Sequence, residues 1–192
     1  MTNLIQSFSN IIPDEICNKL IAFTNQSNSI ASFDVSRNVQ EWSYYINIKD
    51  IKDDSILNVL KYYALTLNEI IKKTYNESNL FVNFGALVKW IKGNKMILHT
   101  DNGNGEDNTT KILFMRKYSA IIYLNDNFSG GFTYFDETNN NYENKPKKGS
   151  ALVFSSDERC RHGVTEVISG ERFTYGLWFT DAEKYKSPTY YT

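Results

Sequence analysis

The chain is short of the side chains that carry most metal and thiol chemistry, with two histidines and two cysteines among 192 residues. Cys17 and Cys160 are too few for a disulfide framework and lie far apart, so two reduced thiols in a cytoplasmic protein are expected. Cys160 reads as a small buried hydrophobe rather than a redox switch. Neither sign of charge is in excess: 21 basic side chains face 22 acidic ones, a net of −1, which argues against nucleic acid as a partner. No apolar run approaches the roughly 20 residues of a membrane span. The opening "MTNLIQSFSNIIPDE" lacks the basic start and apolar stretch of a signal peptide. No internal repeat or interdomain linker breaks the chain.

What is present is a large apolar and aromatic content, 41% and 15%, in a length that buries a core as one domain. "PDEICNKLIAFTNQ" predicts a helix, with Pro13, Asp14 and Glu15 suited to its first turn and Ile16, Leu20 and Phe23 at helical spacing. A second helix is predicted from about 54 to 75, with Ile56, Leu60, Tyr63 and Leu67 on one face. Both read as support for a sheet. From residue 81 onward the pattern changes to short β-branched and aromatic runs: "FVNFGALVKWI", "MILHTD", "SAIIYLND", "GFTYFDE", "SALVFSS", "GVTEVI" and "RFTYGLWFT". "WSYYINI" near residue 45 is a further strand candidate, and "SAIIYLNDNFSGGFTYF" reads as a β-hairpin. Many short strands favour a sandwich or barrel. The polar stretches "NGNGEDNTTK" and "ETNNNYENKPKK" are candidate lids, and "FDVSRNVQEW", with Arg37 and Trp42, is a candidate substrate-covering loop or plain surface turn.

The two histidines flank that hairpin. His99 and Asp101 stand at i and i+2, so on a strand they face one way and can ligate one ion. Alone, this H-x-D also fits a surface histidine beside a turn aspartate. His162 changes the balance, because two imidazoles and one carboxylate make a facial triad with open positions, the donor set of non-haem Fe(II) oxygenases. A structural zinc site would add a fourth protein ligand. Arg172 and Thr174 share a side of "RFTYGLWFT" with Gly176 and Trp178. The guanidinium can fork onto a carboxylate, Thr174 can add a hydroxyl, and Tyr123 can reach the same anion. That describes a pocket for a dicarboxylate that chelates the metal with its other end. The alternative for Arg172 is a surface salt bridge with Glu171 or Glu166.

From about Asn83 to Asp181 the chain resembles the 2-oxoglutarate- and Fe(II)-dependent dioxygenases of the prolyl hydroxylase group. The pieces that carry the resemblance are "HTDN", "YSAIIYLNDNFSGGFTYF", "KPKKGSALVFSS", "HGVTEV" and "GERFTYGLWFT", in that order. They are most similar to the catalytic domain of leprecan-type prolyl 3-hydroxylases. The resemblance implies a mainly β fold with supporting helices, the double-stranded β-helix or cupin-like jelly roll. It implies one domain over 1–192, with helical support to about 78 and a jelly-roll core over about 80–181. It further implies Fe(II) on His99, Asp101 and His162, and 2-oxoglutarate gripped by Arg172 and Tyr123. Trp178 matches a pocket-wall tryptophan. The resemblance also implies O2 as the oxidant, ascorbate as an accompanying reductant, and hydroxylation of a C–H bond with release of succinate and CO2. Trp90 stands where many relatives have a tyrosine touching the co-substrate, and packing is the role expected of it. A prolyl residue in a peptide or protein is the implied substrate. A free amino acid or small metabolite, or a non-catalytic metal-binding jelly roll, are the alternatives.

Overall fold

The computed structural model describes residues 4–27, 30–34, 39–103, 113–136 and 142–191. In chain order the elements are β1 (Ile5–Phe8), α1 (Asp14–Gln26), β2 (Ile30–Asp34), β3 (Val39–Asn47), α2 (Asp54–Tyr75), β4 (Phe81–Trp90), β5 (Met96–His99), β6 (Tyr118–Tyr123) and β7 (Ser129–Gly130). They continue with β8 (Thr133–Phe135), β9 (Glu143–Asn144), β10 (Ala151–Ser155), β11 (His162–Val164), β12 (Val167–Ser169) and β13 (Arg172–Thr180). Among the described residues no helix is long and apolar enough to cross a membrane.

Both helices form where their spacing and end signals place them. Pro13 is the N-cap of α1, with Asp14 and Glu15 against the positive end of its dipole. Asp53 caps α2 by accepting from the Ser55 and Ile56 amides, and Ile56, Leu60, Ala64, Leu67 and Ile71 form its buried stripe. The helix stops at Asn76, which adopts a left-handed conformation (φ 56°) and returns its N–H to the Lys72 carbonyl.

The large sheet runs β1-β10-β6-β13-β4-β3-β2, the small one β5-β11-β8-β9, and β12 pairs with β7. This is the jelly-roll arrangement, with both helices laid on the far face of the large sheet. The alternation of β13 shows how one strand serves both faces. Phe173, Tyr175, Leu177 and Phe179 enter the core shared with Leu20 of α1 and with Leu60, Leu67 and Ile71 of α2. The intervening side chains face the small sheet, where Arg172 reaches Thr133 of β8. Burial on both faces accounts for a strand with almost no exposed position.

"SAIIYLNDNFSGGFTYF" is not a hairpin. β6 lies between β10 and β13 in the large sheet, whereas β8 lies between β11 and β9 in the small one. The chain crosses between sheets, with Gly130 and Gly131 at φ 66° and 64°, a conformation that side chains disfavour. Alternation reports which face a residue occupies, not which strand lies beside it. The first 78 residues supply strands as well as helices: β1 pairs with β10, and β3 and β2 extend the sheet beyond β4.

Candidate active site

β5 and β11 pair antiparallel with His99 directly opposite His162, and their ring centroids are 4.4 Å apart. Asp101 follows two residues after His99, in the turn beyond β5. The Ser156 carbonyl accepts from the Asp101 and Asn102 amides at 3.0 Å each, which holds that turn against the end of β10. The Asp101 carboxylate lies between the rings, with Oδ1 3.7 Å from His99 Nε2 and Oδ2 3.5 Å from His162 Nε2. All three ligand atoms lie within 4.8 Å of one another.

Each imidazole is oriented by its other nitrogen. His99 Nδ1 lies 2.9 Å from the Ile97 carbonyl and His162 Nδ1 lies 3.1 Å from the Cys160 carbonyl. A carbonyl only accepts, so both Nδ1 atoms carry the proton and both Nε2 lone pairs point at the shared centre. Burial, reinforced by His99, pushes the His162 imidazole down to about 4, so it is neutral at pH 7. Burial alone would raise the Asp101 carboxyl, but His162, His99 and Arg116 outweigh it and hold the group well below the usual range. Neutral imidazole and ionised carboxylate are the states a cation requires. A divalent ion with bonds of about 2.1 Å sets neighbouring donors about 3.0 Å apart, so the 3.5 and 3.7 Å spacings here would close by about half an ångström around one. The donor set fits Fe(II), with three protein ligands on one side.

Arg172 lies deeper and is 1% exposed. The salt bridge considered for it with Glu171 is not formed, because Glu171 pairs with Lys89 at 2.7 Å. Its guanidinium sits 5.0 Å over the Trp90 ring and 5.3 Å over that of Tyr123. One nitrogen donates to Thr133 Oγ1 at 3.4 Å, and Nε is buried with no partner among the described residues. Burial lowers its pKa, yet a guanidinium remains charged at neutral pH. A buried cation without a carboxylate costs several kcal/mol unless an anion meets it. Thr133 pairs with Val164 and Phe135 with His162, so the Arg172 partner lies two residues along the strand from the histidine. That is about 7 Å, the reach of a five-carbon diacid. A buried guanidinium without a carboxylate at that distance suits the far carboxylate of 2-oxoglutarate.

Residues 86–180 match the model of the 2OG-Fe(II) oxygenase superfamily. These 95 residues, just under half of the chain, carry its likeness to that superfamily. Among individual relatives, 68 residues are 46% identical to prolyl 3-hydroxylase 1 of Gallus gallus, covering 34% of this chain and 9% of that protein. They are 44% identical to prolyl 3-hydroxylase 2 of Homo sapiens, covering 34% and 10%. The likeness to these relatives thus spans about a tenth of their length. The fold resembles that of a Trichoplax adhaerens prolyl hydroxylase solved with a hypoxia inducible factor oxygen degradation domain peptide fragment. The TM-score is 0.75, with 20% identity over 96% of this chain and 86% of that one. It also resembles the viral collagen prolyl hydroxylase of Paramecium bursaria Chlorella virus-1, with TM-score 0.69 and 15% identity over 94% and 97% of the two chains.

The remaining residues singled out in the sequence distribute unevenly about the site. Tyr123 is fully buried and its hydroxyl meets Thr133 at 2.8 Å. Thr174 is buried on the same face, paired in register with Tyr123, but the hydroxyl that meets Arg172 belongs to Thr133. Trp90 packs under the guanidinium, in keeping with the packing role expected of it. Trp178 lies not beside Arg172 but under a second arginine, Arg116, whose guanidinium is 4.5 Å from its ring. Arg116 escaped the sequence reading, since nothing local separates it from other basic residues in a polar stretch. It donates to the Asp101 carbonyl at 3.3 Å, and Arg116 Nε and Trp178 Nε1 are both buried without partners among the described residues. Arg37 and residues 104–112 and 137–141 of the candidate covering loops lie outside the described residues, as does the Trp42 side chain.

Proposed function

We propose that this chain is a 2-oxoglutarate- and Fe(II)-dependent dioxygenase that hydroxylates a C–H bond of a prolyl residue in a peptide or protein. The observation that carries the reading is the buried, carboxylate-free Arg172 about one diacid length from two histidines and an aspartate that share a centre. The names of the relatives support a prolyl substrate, and those solved with peptide or named for collagen support a polypeptide one.

His99, Asp101 and His162 would hold the ion through His99 Nε2, His162 Nε2 and the Asp101 carboxylate. Fe(II) held there would supply redox chemistry for O2, the oxidant, whose two oxygen atoms would end in succinate, formed from 2-oxoglutarate with loss of CO2, and in the hydroxylated carbon. The chain's own part is positioning. Arg172 and the Tyr123–Thr133 pair fix the far carboxylate, which sets the keto acid end towards the ion. Phe154, 4.4 Å from the His162 ring, and Phe135 behind it keep water from that flank. Arg116, stacked on Trp178, donates to the Asp101 carbonyl and so steadies the turn that carries this ligand. Ascorbate would serve to return oxidised iron to the ferrous state.

Incubation with Fe(II), 2-oxoglutarate, ascorbate and a library of prolyl peptides tests this. Succinate release with one oxygen added to proline is expected, and His99→Ala should abolish both. Turnover of free proline or another metabolite alone would move the substrate away from polypeptides. No 2-oxoglutarate turnover with any pool would overturn the enzymatic reading.

A further inference from the structure

Gly176 lies in the middle of β13, in register with Ala86 of β4 on one side and Ile121 of β6 on the other. A glycine at such a place weakens a central strand, since it loses more chain entropy and packs no side chain. Its backbone does not call for one, because Gly176 is not among the glycines with positive φ. The reason lies on its inner face. A Cβ at 176 would stand 3.2 Å from Trp178 Cη2 and 3.4 Å from Trp178 Cζ3, inside the usual carbon–carbon contact of about 3.5–4.0 Å. The next neighbour, the Ala86 carbonyl oxygen, is 3.9 Å away. The far edge of the indole therefore lies back over residue 176, in the space a side chain would fill.

Other groups depend on where that indole rests. The Arg116 guanidinium stacks 4.5 Å from it and donates to the Asp101 carbonyl at 3.3 Å. Phe84, opposite Trp178 on β4, stands against it with ring centroids 5.5 Å apart. The inward positions of β13 run Arg172, Thr174, Gly176, Trp178, and Trp178 is the one position of the strand that is not fully buried. On this wall the site thus opens to solvent at Trp178, about 20 Å along the strand from Arg172. A polypeptide coming from solvent passes the indole before it reaches the ion.

We infer that Gly176 is a positioning residue for the polypeptide substrate, because the room it leaves for the Trp178 indole sets how far Trp178 and Arg116 stand into the entrance. This deepens the function proposed above and rests on it. A larger residue at 176 lifts the indole off the sheet and narrows the approach to the ion. It does so without touching Arg172, four residues and about 13 Å away. Valine suits a strand better than glycine, so a role confined to the sheet predicts no loss from that change.

The test uses the Fe(II)-loaded protein and the prolyl peptide it turns over fastest in the library. For that peptide kcat/KM should fall about tenfold in Gly176→Val, the kinetic size of mild overpacking, and by less in Gly176→Ala. The same valine in a Trp178→Phe background should cost little, because a phenyl ring does not reach back to residue 176. The affinity of the Mn(II)-loaded protein for 2-oxoglutarate, read by calorimetry, should not change in Gly176→Val. Acrylamide quenching of Trp178, isolated by subtracting the Trp178→Phe signal, should rise in Gly176→Val and reports the displaced indole without turnover. Unchanged kcat/KM, unchanged quenching, an equal loss in both backgrounds or a parallel loss of 2-oxoglutarate affinity each overturns the inference. Should Gly176→Val fail to fold, Gly176→Ala carries the same comparisons. No turnover of any peptide by the unmodified protein sinks the proposed function instead.

Discussion

At the scale of single residues, scarcity made the ion site legible. With two histidines in the chain, any metal reading had to use His99 and His162, and the i, i+2 spacing brought Asp101 with them. Arg172 was legible from its side of a strongly alternating strand. Thr133 and Arg116 were not, because a hydroxyl among many and an arginine in a polar stretch acquire meaning only through partners from other strands. The Arg172 assignment predicts a separable defect. Arg172→Ala should weaken 2-oxoglutarate binding by about 100-fold while leaving Mn(II) binding near normal, because the guanidinium is not a ligand. Arg172→Lys should fall between, keeping charge but losing the planar fork. Titration of both ligands into each variant checks this, and parallel loss of Mn(II) would contradict it.

At the scale of elements, the helices were legible to within a residue, because periodicity, joined in α1 by first-turn signals, ran over 13 and 22 residues. The four-residue β1 was missed. It is too short for alternation to register, and it is a strand only through β10, far along the chain. The supposed hairpin failed for a related reason: local pattern cannot say that β8 pairs with β11 rather than β6. The end of α2 gives a test at this scale. Asn76 holds a left-handed turn, and the next residue, Glu77, accepts from Lys117 and from the Tyr118 hydroxyl, both at 2.8 Å. Asn76→Ala should cost about 1 kcal/mol in that conformation, whereas Asn76→Gly should be neutral or slightly stabilising. Urea unfolding of the pair decides it. Equal stability of the two would remove the conformational explanation.

For the whole molecule, composition pointed to a β-rich globule, but the order of strands and the stacking of two sheets came from resemblance to a family rather than from any residue pattern. The helices, the large sheet and the small sheet form three layers, and ionisable groups are trapped at both boundaries. Burial pushes the thiols of Cys17 and Cys160 up to about 11, from 9.0, and the phenols of Tyr45 and Tyr75 up to about 12, from 10.0. Folding favours the neutral form of each, so their contribution is complete below about pH 9 and declines as pH rises towards 11 to 12. Urea midpoints between pH 8 and 12 should therefore fall on the alkaline side. Replacing both cysteines by alanine should flatten the section between pH 9 and 11.

The same tethers that fix the tautomers have a kinetic meaning. Because the Ile97 and Cys160 carbonyls hold the two rings from two residues upstream, each imidazole has less torsional freedom to surrender when a hydrated ion arrives. That disorder disappeared when the strands came together. Loading should then be limited less by the polypeptide than by how fast the incoming ion sheds its own water shell.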